Sequence, residues 1–480
     1  MHTEINDGEG RRKYMEQLRN NPEGKPVREN KMGTMPVKKL IVNMSLPMMA
    51  SMLVQALYNI VDSIFVSQVS EAALTAVTLA FPLQNLIISV MAGTGVGVNA
   101  MLSRALGEKN FRDSDSAANM GLFVTIMSAI VIMLLGIFVS GPFIRSQTQD
   151  EEIVELGITY LRICMTLDLG VCFQVMFERL LQSTGLTFYS MISQMTGAVI
   201  NIIFDPIMIF GLFGFPEMGV AGAAFATVLG QTIAACIGLF MNLKFNRELH
   251  FSLPGIFHPN GRTIKRIYFV AVPTILMMSI GSVMTYLMDL ILIAFSTTAT
   301  AVFGVYFKLQ SFFFMPVFGL NNGLVPILAY NYGAAQKKRI DEALRFAVCL
   351  ALCIMFCGTA VFELFPAKLL GLFNASDTMV QIGIPALRTI ALHFPIAACS
   401  IVLGSVFQAF GQSIYSLIVS ACRQLVVLIP AAYLLSLSGN VNLVWWSFLI
   451  AEFMSLLLTL LFFRRIYRNV VVPMGKTEEA

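Results

Sequence analysis

The chain has 480 residues, of which 56% are hydrophobic and 12% charged, with a formal net charge of +4. A soluble domain carries about 25% charged residues, so this composition excludes an ordinary soluble fold. The small positive charge does not mark a nucleic-acid binder, because the basic residues gather in loops beside apolar segments.

The charge deficit is uneven. Residues 40–61, 72–103, 116–144, 218–243, 309–336 and 424–451 contain no Asp, Glu, Lys or Arg. About 20 apolar residues cross a bilayer as a helix. Inside hydrocarbon every backbone amide must be satisfied internally, which leaves helices or a closed barrel. Barrel strands alternate apolar and polar residues, whereas these runs are continuously apolar. The class is therefore all-α and polytopic. The first 39 residues, with nine Lys/Arg against six Asp/Glu, carry no apolar core of a cleavable signal peptide.

In chain order, apolar runs and their Gly/Pro breaks predict helices over 40–66, 72–103, 116–143, 155–181, 187–213 and 218–243. Six more are predicted over 264–295, 299–328, 342–365, 381–410, 413–437 and 443–463. That gives 12 transmembrane helices in two six-helix lobes. The expected segments are a tail 1–37, an N-lobe 38–243, a linker 244–263, a C-lobe 264–465 and a tail 466–480.

One set of loops holds Arg104, Lys109, Arg112, Lys244, Arg247, Lys265, Arg266, Lys337, Lys338 and Arg339, and both tails belong with it. The opposite set holds Arg145 and Lys368 among mostly acidic residues. Positive loops stay inside during insertion, so both termini are expected in the cytoplasm. The halves match at an offset of 226: Pro47 with Pro273, Gly107 with Gly333, Arg162 with Arg388, Gln182 with Gln408, Gly185 with Gly411. Six helices per half make these parallel repeats, related by a pseudo-two-fold along the membrane normal, a plan that transporters use to rock two bundles around a midplane site.

Charges at membrane depth are costly and so mark function by default. Asp62 in the first helix and Asp205 in the fifth are expected at similar depth, where desolvation and repulsion favour a proton held between them. The bland alternative is two separately satisfied carboxylates. Asn201 lies one turn from Asp205 on the same face. Tyr160 and Thr227 could complete an ion shell. Glu178 is read either as half of an interfacial pair with Arg179 or as a recruitment point for cationic substrates. Asp289 sits one residue off the repeat mate of Asp62 (289 − 62 = 227). Lys308 is expected to need a buried partner, and Arg162 and Arg388 to snorkel or form structural ion pairs.

Met48, Met52, Gln55 and several Phe are candidates for the wall of a central cleft, because thioethers and aromatic faces suit lipophilic cations. Pro47 removes a backbone bond inside the first helix and is a candidate hinge near Asp62. All eight cysteines fall in apolar segments and read as small buried packing residues. No HExxH, GxxxxGK or Cys/His cluster is present, so neither a metal site nor a cofactor is expected.

The run Leu46-Pro47 through Tyr58-Asn59-Ile60-Val61-Asp62 resembles the MATE (multidrug and toxic compound extrusion) family, as do Leu181-Gln182-Ser183-Thr184-Gly185 and Asn201-Ile202-Ile203-Phe204-Asp205-Pro206. Gly107 and Asn331-Tyr332-Gly333 add to the likeness, which covers about residues 38–465 and is nearest the bacterial MepA-like and DinF-like branch. The resemblance implies a multidrug efflux antiporter, not an enzyme, which exports organic cations against H⁺ or Na⁺ by alternating access. It implies a cation site of Asp62, Asn201, Asp205, Tyr160 and, less firmly, Thr227, with Glu178 and Asp205 as substrate acids. The second lobe lacks the tenth-helix acid of the NorM-like branch, which favours H⁺. A monomer in a bacterial cytoplasmic membrane is expected. A lipid-linked oligosaccharide flippase of the same architecture is the alternative, with a membrane-embedded enzyme more remote.

Overall fold

The computed structural model of the chain describes residues 30–373 and 376–474. The expectations for residues 1–29 and 475–480 of the two tails lie outside the described residues. Among the described residues, 10 single helices are long and apolar enough to cross a membrane, and two bent pairs complete 12 spans. The N-lobe holds α1 (Val37–Val69), α2 (Glu71–Gly107), α3 (Phe111–Arg145), α4 (Glu151–Thr166 plus Leu169–Ser183), α5 (Thr187–Phe210) and α6 (Gly219–Phe245). The C-lobe holds α7 (Gly261–Ile293), α8 (Thr297–Gly333), α9 (Lys337–Leu364), α10 (Asp377–Ala391 plus Phe394–Ala409), α11 (Ser413–Ser436) and α12 (Trp446–Ile466).

Two spans predicted as single helices are broken, α4 by 47° and α10 by 44°. The breaks fall at Asp168 and His393, both buried. Asp168 Oδ2 accepts a bond from Cys172 Sγ at 3.2 Å, and His393 Nδ1 lies 2.5 Å from the Ile390 carbonyl. Helix α1, by contrast, runs unbroken through Pro47. Most other spans extend a few residues beyond the apolar runs, because helices project past the hydrocarbon into the headgroup layer.

The repeat reaches into backbone detail. Ser70 caps α2 by accepting from the Ala73 amide at 2.9 Å, and Ser296, 226 residues on, caps α8 through Ala299 at 3.0 Å. Such caps satisfy amides that the first turn leaves free. Lys109 and Ala335 share a positive φ of 55° and 54° after those same two helices.

One end of the bundle, the base, holds the start of α1 and the α2–α3 and α8–α9 turns; the opposite end is the rim. The lobes meet closely in the half nearer the base. A β-carbon on Gly319 would lie 2.6 Å from the Met49 backbone, and one on Gly97 would lie 2.5 Å from the Ile267 carbonyl oxygen. Arg179 Nη1 donates to Asn322 Oδ1 across the lobes at 3.2 Å. The Arg104 guanidinium lies 4.6 Å over the Tyr332 ring. Toward the rim, Asn85 Nδ2 donates to Ser282 Oγ at 3.2 Å, and Phe81 and Tyr286 are exposed.

Within the stretch assigned to the first tail, Lys31–Thr34 forms one helical turn packed under the base. Asn30 Nδ2 donates to Glu248 at 2.8 Å and 2.7 Å and to the Thr184 carbonyl at 3.1 Å. Arg339 Nη2 donates to the Met32 and Met35 carbonyls, each at 2.8 Å. The strap thereby touches the N-lobe, the linker and the C-lobe.

The cysteines correct one expectation. Cys172 is buried, but Cys236, Cys349, Cys353 and Cys357 are exposed, the last three along one face of α9. A four-residue period identifies a helix stripe without saying which way it turns. A weakly polar thiol is tolerated facing lipid as well as facing protein.

Candidate ion and substrate site

The N-lobe carries the polar interior. Helices α1 and α5 bring the Asp62 and Asp205 side chains within interaction distance of each other. Like charges this close repel, which favours a proton held between the two carboxylates. Asn201 Nδ2 donates to Asp205 Oδ1 at 3.3 Å and to Thr227 Oγ1 at 3.2 Å, which ties α5 to α6. Asp62 Oδ1, Asp205 Oδ2 and Asn201 Oδ1 are buried acceptor atoms with no hydrogen-bond partner. Orphaned buried oxygens cost free energy unless something positive satisfies them. Three in one cluster suit protons or a small monovalent cation.

Small residues let this geometry form. A β-carbon on Gly230 of α6 would lie 2.6 Å from the Gly197 carbonyl oxygen of α5. The two helices therefore touch backbone to backbone one turn from Asn201. Tyr160 is buried, and its hydroxyl oxygen accepts from Gln84 Nε2 at 3.5 Å. Tyr160 and Tyr58 both interact electrostatically with Asp62. Tyr58 was not singled out from sequence, although its place one turn before Asp62 puts it on the acid's own face.

A cavity of about 90 Å³ opens beside this pair, lined in part by Ser51, Gln55, Tyr58, Glu178, Asn201 and Thr227. Glu178 is buried and accepts from Gln174 Nε2 at 3.0 Å. Gln55 Oε1 accepts from Gln194 Nε2 at 3.0 Å. Sites for drug-sized molecules run to roughly 300–1,000 Å³. This cavity matches a few waters or an ion and is too small for a bulky cation.

The remaining candidates lie elsewhere. Met48 is buried in the closed base half of α1, and neither Met48 nor Met52 lines the cavity. Asp289 is half-buried on α7, away from the cavity wall. Lys308 corrects its expectation: it is exposed rather than held in a buried pair. Its neighbours Tyr306 and Leu309 are the buried residues of that turn, so the rotation of α8, which composition does not reveal, turns Lys308 outward. Arg388 does form the expected structural contact, with Nε 3.2 Å from the Glu363 carbonyl and 3.8 Å from Glu363 Oε2. Arg162 is exposed. The C-lobe has instead a pair that sequence reasoning did not assemble, the half-buried Arg423 Nη1 to the buried Glu452 Oε2 at 3.1 Å.

Two six-helix lobes, a shared base and an acid-lined cavity in one lobe define a polytopic membrane transporter. The family model for MatE matches residues 47–207 and 273–434, once in each lobe. The chain belongs to that family of multidrug efflux transporters. The multidrug export protein MepA of Staphylococcus aureus (strain MRSA252) is 26% identical over 423 residues, covering 87% of this chain and 91% of its own. MepA of Staphylococcus haemolyticus (strain JCSC1435) is 26% identical over 418 residues, covering 86% and 90%. A solved structure described as the outward-facing conformation of a multidrug resistance MATE family transporter superposes with a TM-score of 0.87 at 25% identity, covering 94% of this chain and 100% of its own. A MOP superfamily transporter from Pyrococcus furiosus, described as having a binding pocket of reverse polarity, superposes at 0.86 with 26% identity, covering 93% and 99%.

Proposed function

We propose that the chain is a secondary antiporter that exports organic cations against entering protons, by alternating access, as a monomer in a bacterial cytoplasmic membrane. The base, with both termini, faces the cytoplasm on the positive-inside reading. The observation that carries the proposal is the close pair Asp62–Asp205, with a small cavity lined by their neighbours Tyr58 and Asn201 that also holds Glu178. In the rim-open state a proton entering the pair removes negative charge from the N-lobe and weakens its hold on a cationic substrate. In the base-open state, loss of that proton restores the anionic wall. No cofactor is needed, since the coupling ion is itself cargo.

The three orphaned oxygens support Na⁺ as a second reading, because Asn201 Oδ1 is a hard oxygen donor that a proton-only site does not require. Proton release on substrate binding separates the two. Addition of tetraphenylphosphonium to weakly buffered, detergent-purified protein is expected to acidify the medium, and Asp205→Asn protein is expected to leave its pH unchanged. Binding without proton release, at an affinity that depends on Na⁺, would transfer the role to sodium.

A further inference from the structure

A second cavity, of about 580 Å³, lies at the base between the two lobes. It is lined by Lys38, Lys338, Asp341, Glu342, Arg345 and Phe346. Lys38 is the second residue of α1, in the N-lobe, and Lys338 is the second residue of α9, in the C-lobe. Lys338, Asp341, Glu342 and Arg345 recur at the spacing of one helix face.

One of the two acids in this wall is engaged. Both Asp341 oxygens accept from the Tyr467 hydroxyl, at 2.9 Å and 3.0 Å. Glu342 is exposed and lies near Arg339, whose guanidinium holds the strap. The three cations of the wall, Lys38, Lys338 and Arg345, are all exposed and outnumber the one unengaged acid. Basic residues at helix starts sit at the depth of lipid phosphates, and each contributes on the order of 1 kcal/mol toward an anionic surface. Arg464, Arg465 and Arg468 at the end of α12 surround the same level, beside Tyr467. Phe346 gives the cavity an apolar wall against which the glycerol end of a lipid can lie.

We propose that this cavity binds the phosphodiester headgroup of an anionic phospholipid, and that the bound headgroup ties the lobes together in the base-closed state. Volume and charge both favour this occupant: 580 Å³ accommodates a glycerophosphate group, and the cations come from two lobes that, among the described residues, no ion pair joins at this point. The inference stands apart from the coupling ion and from the identity of the exported substrate.

The test measures thermal unfolding and lipid retention of the full-length protein in detergent. Dioleoylphosphatidylglycerol, dioleoylphosphatidylcholine and inorganic phosphate are added at matched concentrations. Phosphatidylglycerol is expected to raise the unfolding midpoint, whereas phosphatidylcholine and free phosphate leave it in place. The triple variant Lys38→Gln, Lys338→Gln, Arg345→Gln is expected to lose the response, with apparent affinity for phosphatidylglycerol down roughly tenfold or more. The charge-keeping variant Lys38→Arg, Lys338→Arg, Arg345→Lys is expected to retain it, which guards against a folding defect. An unchanged phosphatidylglycerol response in the triple variant would overturn the proposal. So would an equal response of the wild type to free phosphate. A response that emerges only after Glu4, Asp7, Glu9, Glu16, Glu23 and Glu29 are neutralised would assign the cavity to the chain's own acidic segment and also overturn it.

Discussion

Gly107 and Gly333, 226 residues apart, each lie against the backbone of the other's helix: a β-carbon on Gly107 would strike the Tyr330 carbonyl oxygen, and one on Gly333 the Arg104 carbonyl oxygen. The pseudo-two-fold therefore passes through the α2–α8 crossing at the base. Backbone cannot yield as a flexible side chain can, so these glycines set how closely the lobes shut. Gly107→Ala and Gly333→Ala are each expected to destabilise the base-closed state by roughly 1–3 kcal/mol, as overpacked sites do. Spin-label distances between the lobes across the base should lengthen and rim distances shorten. Unchanged distances, with normal transport, would show that the crossing is not the pivot.

The strap offers a second handle on the same closure. Arg339 donates to Met32, Met35 and Asn331. Arg339→Gln is expected to speed amide exchange over residues 30–35 and to shift the population toward the base-open form. Exchange as slow as in the wild type would mean that apolar contacts of the buried Met32 hold the strap alone.

The strap also carries a pH dependence. Burial raises the Glu248 carboxyl above its usual 4.5, and the Asn30 bond opposes that shift. A folded value raised above the unfolded one gives stability that is complete below about 4.5 and lost as pH climbs through the folded value. The unfolding midpoint should carry a falling component with rising pH in that window. In Glu248→Gln this component should vanish, which a pH series of unfolding midpoints for both proteins reads directly.

In the C-lobe, Glu452 is 3% and Arg423 32% exposed at the side chain, and Arg423 stands in a π-helical stretch, Cys422–Leu428, that turns it toward α12. Removing one partner of a buried pair costs roughly 3–5 kcal/mol, whereas an apolar replacement of both is close to neutral. Arg423→Met and Glu452→Met are each expected to lower the unfolding midpoint sharply, and the double variant to recover it with transport intact. A double variant that folds but fails to transport would place the pair in the transport cycle.

Much of this architecture was legible in the residues. Uninterrupted apolar runs leave helices as the only solution in hydrocarbon, and the 226 offset fixed the two lobes before any contact was known. Asp62, Asp205 and Asn201 were readable because buried charge is rare, and helical spacing places Asn201 beside Asp205. What escaped depended on rotation and distance across helices. The outward turn of Cys349, Cys353 and Cys357, the exposure of Lys308 and the joining of Arg423 to Glu452 each require knowing which face meets which neighbour. The break in α4 carries no proline, and Asp168 marks it only in retrospect, whereas Pro395 opens the second half of α10 and was a readable signal for that break.

The central claim concerns the Asp62–Asp205 pair. The most direct measurement reconstitutes wild-type and Asp205→Asn protein in proteoliposomes loaded with a fluorescent organic cation, under an imposed pH gradient or, separately, a Na⁺ gradient. The account predicts that the pH gradient alone drives transport by the wild type and that Asp205→Asn falls to the level of protein-free liposomes while remaining folded and inserted. Proton-driven transport that persists undiminished in Asp205→Asn would contradict it.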